Sequence, residues 1–323
     1  MRTQEKTAPR LTPRRGPTRG DRDHRPVPRV RHYRLRRILE PYLYVFPTSL
    51  LMVVLMLVPI VMVIRYSLMD NVIMKKSPVF AGIVNYTQVL TDPDFWAALK
   101  NTAFFTGAGV VAHLVLGMGF ALLLNSSLIG RTTKAVFRVL FILPWLFTVA
   151  IIAVLWRLLL NPNGVLNYLL QSAGLIDTKV EWLADPRLAL FAVTFINIWS
   201  GYPFYMMSLL AGLQGIPRDL YEAAAMDGAG GWQRFTAVTL PQLRPIIVSI
   251  AMLDVIFTTQ QFALIWMTTG GGPINATEML STYTYKLAFR SYEFSVASAS
   301  AVTIFALSMG LAFFYVRHQK ARD

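Results

Sequence analysis

An all-α membrane protein with six transmembrane helices is the fold class predicted by three features of the 323-residue sequence. Hydrophobic residues make up 54% of it. Charged residues make up only 15%, against about 25% in soluble domains. Five long runs, at 42–64, 101–130, 139–156, 188–217 and 294–316, contain no Asp, Glu, Lys or Arg. Each approaches or exceeds the ~20 helical residues that cross ~30 Å of hydrocarbon. A very apolar soluble bundle is the competing reading, but a soluble core has little need for so many uncharged runs of this length.

Residues 1–41 form a basic cytoplasmic tail, rich in Arg and Pro and poor in core-forming side chains, so disorder is its expected state. The first span, 42–65, follows about forty polar residues and is too long for the apolar region of a secretory signal, so it stays as an anchor. The second and third spans cover 101–125 and 138–158, and the fourth covers 188–212. A fifth, 245–267, contains one carboxylate, Asp254. Its cost of ~2.5–3.5 kcal/mol at a helix centre is offset by Ile, Leu, Val and Phe neighbours worth ~0.3–0.6 kcal/mol each. The sixth span, 294–316, completes a transmembrane domain over 42–316, and 317–323 form a second short tail.

Charge sets the orientation. Thirteen Lys/Arg against four acids give residues 1–41 a charge of +9 out of the chain's +14, which places the N-terminus in the cytoplasm. Arg131, Lys134 and Arg138, then Arg218, Arg234 and Arg244, then Arg317, Lys320 and Arg322 fall on the same side, while the opposite loops are mixed or mildly acidic. Both termini are therefore expected inside. The simplest role for the basic tail is attraction to anionic lipid heads, at ~1 kcal/mol per basic residue near the surface. No nucleic-acid partner is expected.

Catalytic chemistry finds little support. His24, His32 and His318 lie in the tails, His113 alone lies within a span, and cysteine is absent, so spacing offers no metal site. There is no G-x-x-x-x-G-K-[ST] loop, and the GAGG at 228–231 lacks dinucleotide spacing. The chain is expected to be a non-catalytic subunit that binds no cofactor itself. His113, with Gly109 and Gly117 on one face, reads as a packing site rather than a proton relay.

The segment 213–244 carries charge between two apolar spans. Pro217 can sit in a first helical turn, RDLYEAAAMD supplies helix formers, and Gly228 can close the helix at positive φ. Ala223, Ala224 and Ala225 keep it slim. A second short helix around Gln233–Val238 should lead to Leu240 and Pro241, after which Pro245 opens the fifth span.

The run Glu222, Ala223, Ala224, Gly228, Val238, Leu240, Pro241 resembles the EAA motif of binding-protein-dependent ABC importer permeases, with Val238 where Ile is usual. In that family this short helix docks into a cleft of a separate cytoplasmic ATPase. The resemblance thus implies a coupling role for Glu222, Ala223, Ala224, Asp227, Gly228, Leu240 and Pro241. FILPW at 141–145, WRLLLNPNGVLNYLL at 156–170, the stretch 200–229 and TTGGGPINATEMLSTYTYKLAF at 268–289 are similar, in order, to the maltose-type carbohydrate branch. The likeness covers about 42–316, and Gly271, Gly272, Pro273 and Thr277 tilt it toward sugars. It implies a type I ABC importer permease, multi-pass in the bacterial cytoplasmic (inner) membrane. It also implies a second homologous permease in a heterodimer, two ATPase copies holding ATP and Mg, and an extracytoplasmic solute-binding protein.

Substrate contacts are expected where polar groups share a helical face within the membrane. Asp254, Thr258 and Gln261 fall at i, i+4 and i+7 on the fifth span, and Asn197, Gly201, Phe204 and Ser208 recur similarly on the fourth. Trp199, Tyr202 and Tyr205 are nearby candidates for an aromatic platform. The competing reading makes Asn197, Asp254 and Gln261 interhelical ties of ~0.6 kcal/mol each. Two other functions stand beside the sugar permease. One is an ABC permease for glycerol-phosphate or another small polar solute. The other is an ion-coupled secondary transporter, which would need more mid-membrane ionisable groups than Asp254 and His113.

Overall fold

The computed structural model describes residues 31–320, and among them every regular element is helical apart from one isolated bridge between Met69 and Phe80. The chain divides into two units, residues 1–58 and 59–323. Helix α1 (Arg31–Ser67), whose residues belong to both, begins at Arg31 rather than Tyr42. The end of the expected disordered tail is therefore helical, and residues 1–30 lie outside the described residues. Side chains 41–58 are all exposed, including Tyr42, Leu51 and Leu55.

The second unit continues with α2 (Val84–Thr91) and α3 (Pro93–Asn125). The Asp92 side chain accepts from the Asp94 N–H at 2.9 Å and Pro93 fills the first helical position, where its missing N–H costs nothing. Next come α4 (Arg131–Leu146), α5 (Val149–Leu159), α6 (Val165–Ser172), α7 (Ala189–Gly215) and α8 (Arg218–Met226). Helix α9 (Gly231–Arg234) runs through a π segment, Phe235–Thr239, into α10 (Leu240–Thr259). Helices α11 (Ala263–Thr268), α12 (Leu280–Phe289) and α13 (Phe294–Lys320) follow. Among the described residues, three helical stretches are long and apolar enough to cross a membrane: Pro41–Ser67, Pro93–Asn125 and Gly231–Thr259. The bent pair α4–α5 makes a fourth if counted as one span. The expected fourth and sixth spans fall on α7 and α13, each 27 residues long, which are not among those stretches.

Three expectations need correction. The third span is not one rod over 138–158, because α4 and α5 meet at 98°. Pro144 removes a helical N–H just before the bend, and the Thr148 hydroxyl takes the Ile151 N–H at 3.4 Å, starting a new helix. The fifth span is interrupted at Gln260–Phe262, just after the Thr259 hydroxyl bonds back to the Val255 carbonyl and competes with the ladder. Finally, no separate short helix precedes Leu240: the helix is continuous from Gly231 to Thr259 and Pro245 lies inside it. The π segment, closed by the Leu240 N–H on the Phe235 carbonyl, is a wider turn that accommodates Pro241.

Helices α3 and α7 make the central contact, and glycine sets their separation. A Cβ at Gly117 would lie 2.4 Å from Tyr205 Cβ, and one at Gly201 would lie 2.3 Å from His113 Nε2. Small residues at such crossings let backbones approach, which is how helices associate where lipid gives no hydrophobic drive. Met118, Ala121, Tyr205, Met206 and Leu209 fill the contact, and Leu243 and Ile250 of α10 close over it.

Candidate functional site

A cavity of about 420 Å³ opens where α3, α7 and α10 converge against α4 and α5. Of the residues singled out on the sequence, Asn197, Tyr205, Asp254, Thr258 and Gln261 line it. Trp199 and Tyr202 do not. Trp199 packs edge-on against Trp156 at 5.4 Å, and Tyr202 is buried against Phe120 at 5.1 Å. Gly201 and Phe204, expected on the Asn197 face, also line it while Ser208 does not, and Trp145, Phe147 and Phe257 complete the aromatic wall with Tyr205 and Phe204. Trp145 and Phe147 sit beside the α4–α5 bend, which the uncharged run 139–156 conceals.

The polar centre of the cavity is a hydrogen-bonded cluster on three helices. Asp254 Oδ2 accepts from His113 Nδ1 at 2.8 Å and from the Tyr205 hydroxyl at 3.0 Å, while Oδ1 accepts from the Thr258 hydroxyl at 2.8 Å. Thus both carboxylate oxygens are engaged. The second ring nitrogen of His113, Nε2, lies 3.1 Å from the Asn197 backbone carbonyl. Carboxylate and carbonyl are both acceptors, so only a ring protonated on both nitrogens donates to both. His113 is 2% exposed, and its pairing with Asp254 is the kind of arrangement that makes a buried charge tolerable. Packing describes His113 in part, since its ring sits against Gly201, but its carboxylate partner lies 141 residues away and no local pattern announces it. Asn197 Nδ2 is the opposite case: it is buried, on a residue 6% exposed, and has no hydrogen-bond partner.

Coupling-segment residues are displayed differently. Helix α8 has no buried residue, and Glu222, Ala223, Asp227 and Gly228 are exposed. Gly228 has φ +79°. Its N–H reaches the Ala225 carbonyl at 3.0 Å and the Ala229 N–H reaches that of Ala224 at 2.9 Å, the paired bonds that close a helix with a left-handed residue. Leu240 and Pro241 lie on the neighbouring continuous helix, both exposed. The Tyr221 and Thr239 hydroxyls, 2.9 Å apart, fasten α8 to the π segment, a link the sequence did not reveal.

The GGP stretch also has a local explanation. Gly270 and Gly271 have φ +63° and +88°, and a Cβ on Gly271 would meet the buried Glu278 carboxylate that pairs with Lys286. The Thr277 hydroxyl donates to the Gly272 carbonyl at 2.6 Å, and Asn101 Nδ2 donates to the carbonyls of Asn275, Ala276 and Glu278. These residues close a loop, and none lines the cavity.

Residues 113–322 match the family model described as "binding-protein-dependent transport system inner membrane component". The chain belongs to this family. Its relatives include a probable ABC transporter permease of Brucella suis, 36% identical over 86% of this chain and 95% of that one. The trehalose/maltose transport system permease of Thermococcus litoralis is 35% identical over 85% of this chain and 92% of its own length. The fold matches a chain in the crystal structure of a bacterial ABC transporter involved in import of the acidic polysaccharide alginate. The TM-score is 0.78 at 22% identity, covering 90% of this chain and 99% of that one. Membership makes the chain an integral membrane component of a transport system and accounts for its mostly helical, apolar build.

Proposed function

We propose that this chain is the membrane-spanning permease subunit of an ATP-driven importer that passes a sugar or oligosaccharide from an extracytoplasmic binding protein to the cytoplasm. It would cross the bacterial inner membrane six times, both ends inside, with 42–316 as the permease domain, 213–244 as the cytoplasmic coupling segment and residues 1–41 as the basic tail. A second homologous permease would complete the pathway. ATP and Mg would be held by two copies of a separate ATPase that grips α8 through Glu222, Ala223, Ala224, Asp227 and Gly228, with Leu240 and Pro241 on the adjoining helix.

The observation that carries this reading is the continuity of Gly231–Thr259, one helix tied at its start to α8 and bearing Asp254 and Thr258 in the cavity wall. A coupling element and a polar cavity on one rod suit a transporter driven from the cytoplasm. Aromatic faces beside an unpartnered amide suit a sugar, whose ring presents both apolar C–H faces and hydroxyls. The trehalose/maltose relative supports the same substrate class. An ion-coupled carrier is less well served, since the cavity's one carboxylate and one imidazole are already hydrogen-bonded to each other.

Uptake by proteoliposomes holding the complete complex tests the proposal. Accumulation of labelled trehalose or maltose should require internal ATP and the binding protein. Accumulation driven by a proton or sodium gradient without ATP would overturn it.

A further inference from the structure

The cavity's charge arrangement points beyond "a sugar". Among its lining residues the only ionisable groups of the charged kind are His113 and Asp254, and they are paired with each other. Every donor that faces Asp254 is committed to it: the imidazole, the Tyr205 hydroxyl and the Thr258 hydroxyl. Asp254 Oδ2 thus holds two hydrogen bonds and Oδ1 one, and both His113 ring nitrogens already face acceptors, so the ring turns no free donor toward an anion. What the wall still offers is neutral: the unpartnered Asn197 amide, the Gln261 side chain and the aromatic faces.

Resting on the proposed sugar-import reading, we propose that the His113–Asp254 pair is a specificity device: it makes this wall electrically neutral, so that the site accepts uncharged saccharides and rejects acidic ones. A uronate entering the cavity must shed water from its carboxylate, and no free cation among the described lining residues replaces that water. A neutral sugar carries no such penalty, and its hydroxyls find the amides. Asp254 is on this view a positioning residue. It holds the His113 ring against the carbonyl of Asn197, the residue whose buried amide is unpartnered.

The discriminating experiment uses the complete complex in nanodiscs, without binding protein, and reads quenching of tryptophan fluorescence, since Trp145 lines the cavity. Trehalose and maltose serve as neutral probes, and digalacturonate and an alginate disaccharide as acidic ones. The wild type should bind its better neutral probe at least about tenfold more tightly than either acidic one. Asp254→Asn frees the imidazole and Tyr205 as donors for an incoming carboxylate and should bring the ratio to about one or below. His113→Gln, which leaves Asp254 unpaired, should widen it. Equal affinity of the wild type for neutral and acidic probes would overturn the filter while leaving the import reading intact. Binding of neither class would remove the import reading and the filter with it. Should Asp254→Asn fail to assemble, the wild-type ratio and the His113→Gln shift still decide the matter.

Discussion

Gly228 offers the sharpest perturbation of the coupling segment. Its φ of +79° lies where an L side chain is strained, and a Cβ there meets nothing within 4 Å. Substitution therefore has a backbone cost and no packing cost. That cost is ~1–2 kcal/mol for a residue forced into the left-handed region, and a β-branched side chain is especially ill suited to it. An energy of one or two kcal/mol corresponds to a factor of about 5–30 in a population. In Gly228→Val the closure of α8 should loosen by that factor, because the Gly228 and Ala229 N–H bonds to Ala225 and Ala224 depend on the left-handed turn. Membrane insertion should be unaffected, since α8 has no buried residue. On the proposed reading the ATPase binds the closed helix, so the amount of ATPase that co-purifies with tagged Gly228→Val should fall several-fold at limiting concentration. Gly228→Asn, which tolerates positive φ, should retain most of it. Wild-type co-purification of the Val variant, or equal loss in the Asn variant, would refute the reasoning.

Other expectations follow from single contacts. Gly117→Ala should lower the complex's melting temperature, by an overpacking cost of ~1–3 kcal/mol, because its Cβ would lie 2.4 Å from Tyr205 Cβ; Gly119→Ala, with open space around it, should not. Tyr205→Phe removes one of three donors to Asp254 and should cost ~1.5–3 kcal/mol in thermal or denaturant unfolding. Gln261→Ala should reduce uptake without reducing subunit assembly; normal uptake would make the residue a structural tie. Burial, reinforced by a 2.6 Å hydrogen bond to Asp92, raises the Tyr283 phenol above its ordinary 10.0. A raised value means that the associated stability is present below about pH 10 and is lost as pH rises further. The melting temperature should therefore be insensitive to this group at neutral pH and fall in strong alkali, with a smaller fall in Tyr283→Phe.

Legibility in the sequence followed the range of the forces involved. The Gly228 cap could be read because helix closure is local, involving residues 223–229 only. The apolar runs around α1 and α3 could be read because hydropathy sums along the chain. The α4–α5 bend was hidden because Pro144 and Thr148 act through backbone bonds inside a run that is uniformly apolar. Continuity through Leu240 and Pro241 was hidden for the converse reason, since a π turn absorbs a proline that normally starts or breaks a helix. Periodicity brought Asp254, Thr258 and Gln261 to one cavity correctly, even though the helix breaks before Gln261. It could not show that Asp254 would be saturated by His113 and Tyr205, which lie 141 and 49 residues away on other helices. Nor could it separate Tyr205, which faces the cavity, from Tyr202 three residues earlier, which faces Phe120.

The same long-range cluster explains how motion at α8 could reach a substrate. A helix transmits axial force well because its bonds lie along its axis, and Thr239 to Asp254 spans about 22 Å at 1.5 Å per residue. The Tyr221–Thr239 contact fixes α8 to the near end, and the Asp254 bonds to His113 and Tyr205 fix the far end to α3 and α7. The π segment lies at the near end, where the backbone ladder is already irregular and a change of register is least costly. Displacement of α8 therefore has two outlets: a register shift at Phe235–Thr239, or movement of Asp254 against its partners. Tyr221→Phe cuts the near attachment without touching the cavity. If the rod conveys the stroke, this variant should hydrolyse ATP in the assembled complex but import several-fold less sugar per ATP. An unchanged ratio of sugar to ATP would show that force reaches the cavity by another route.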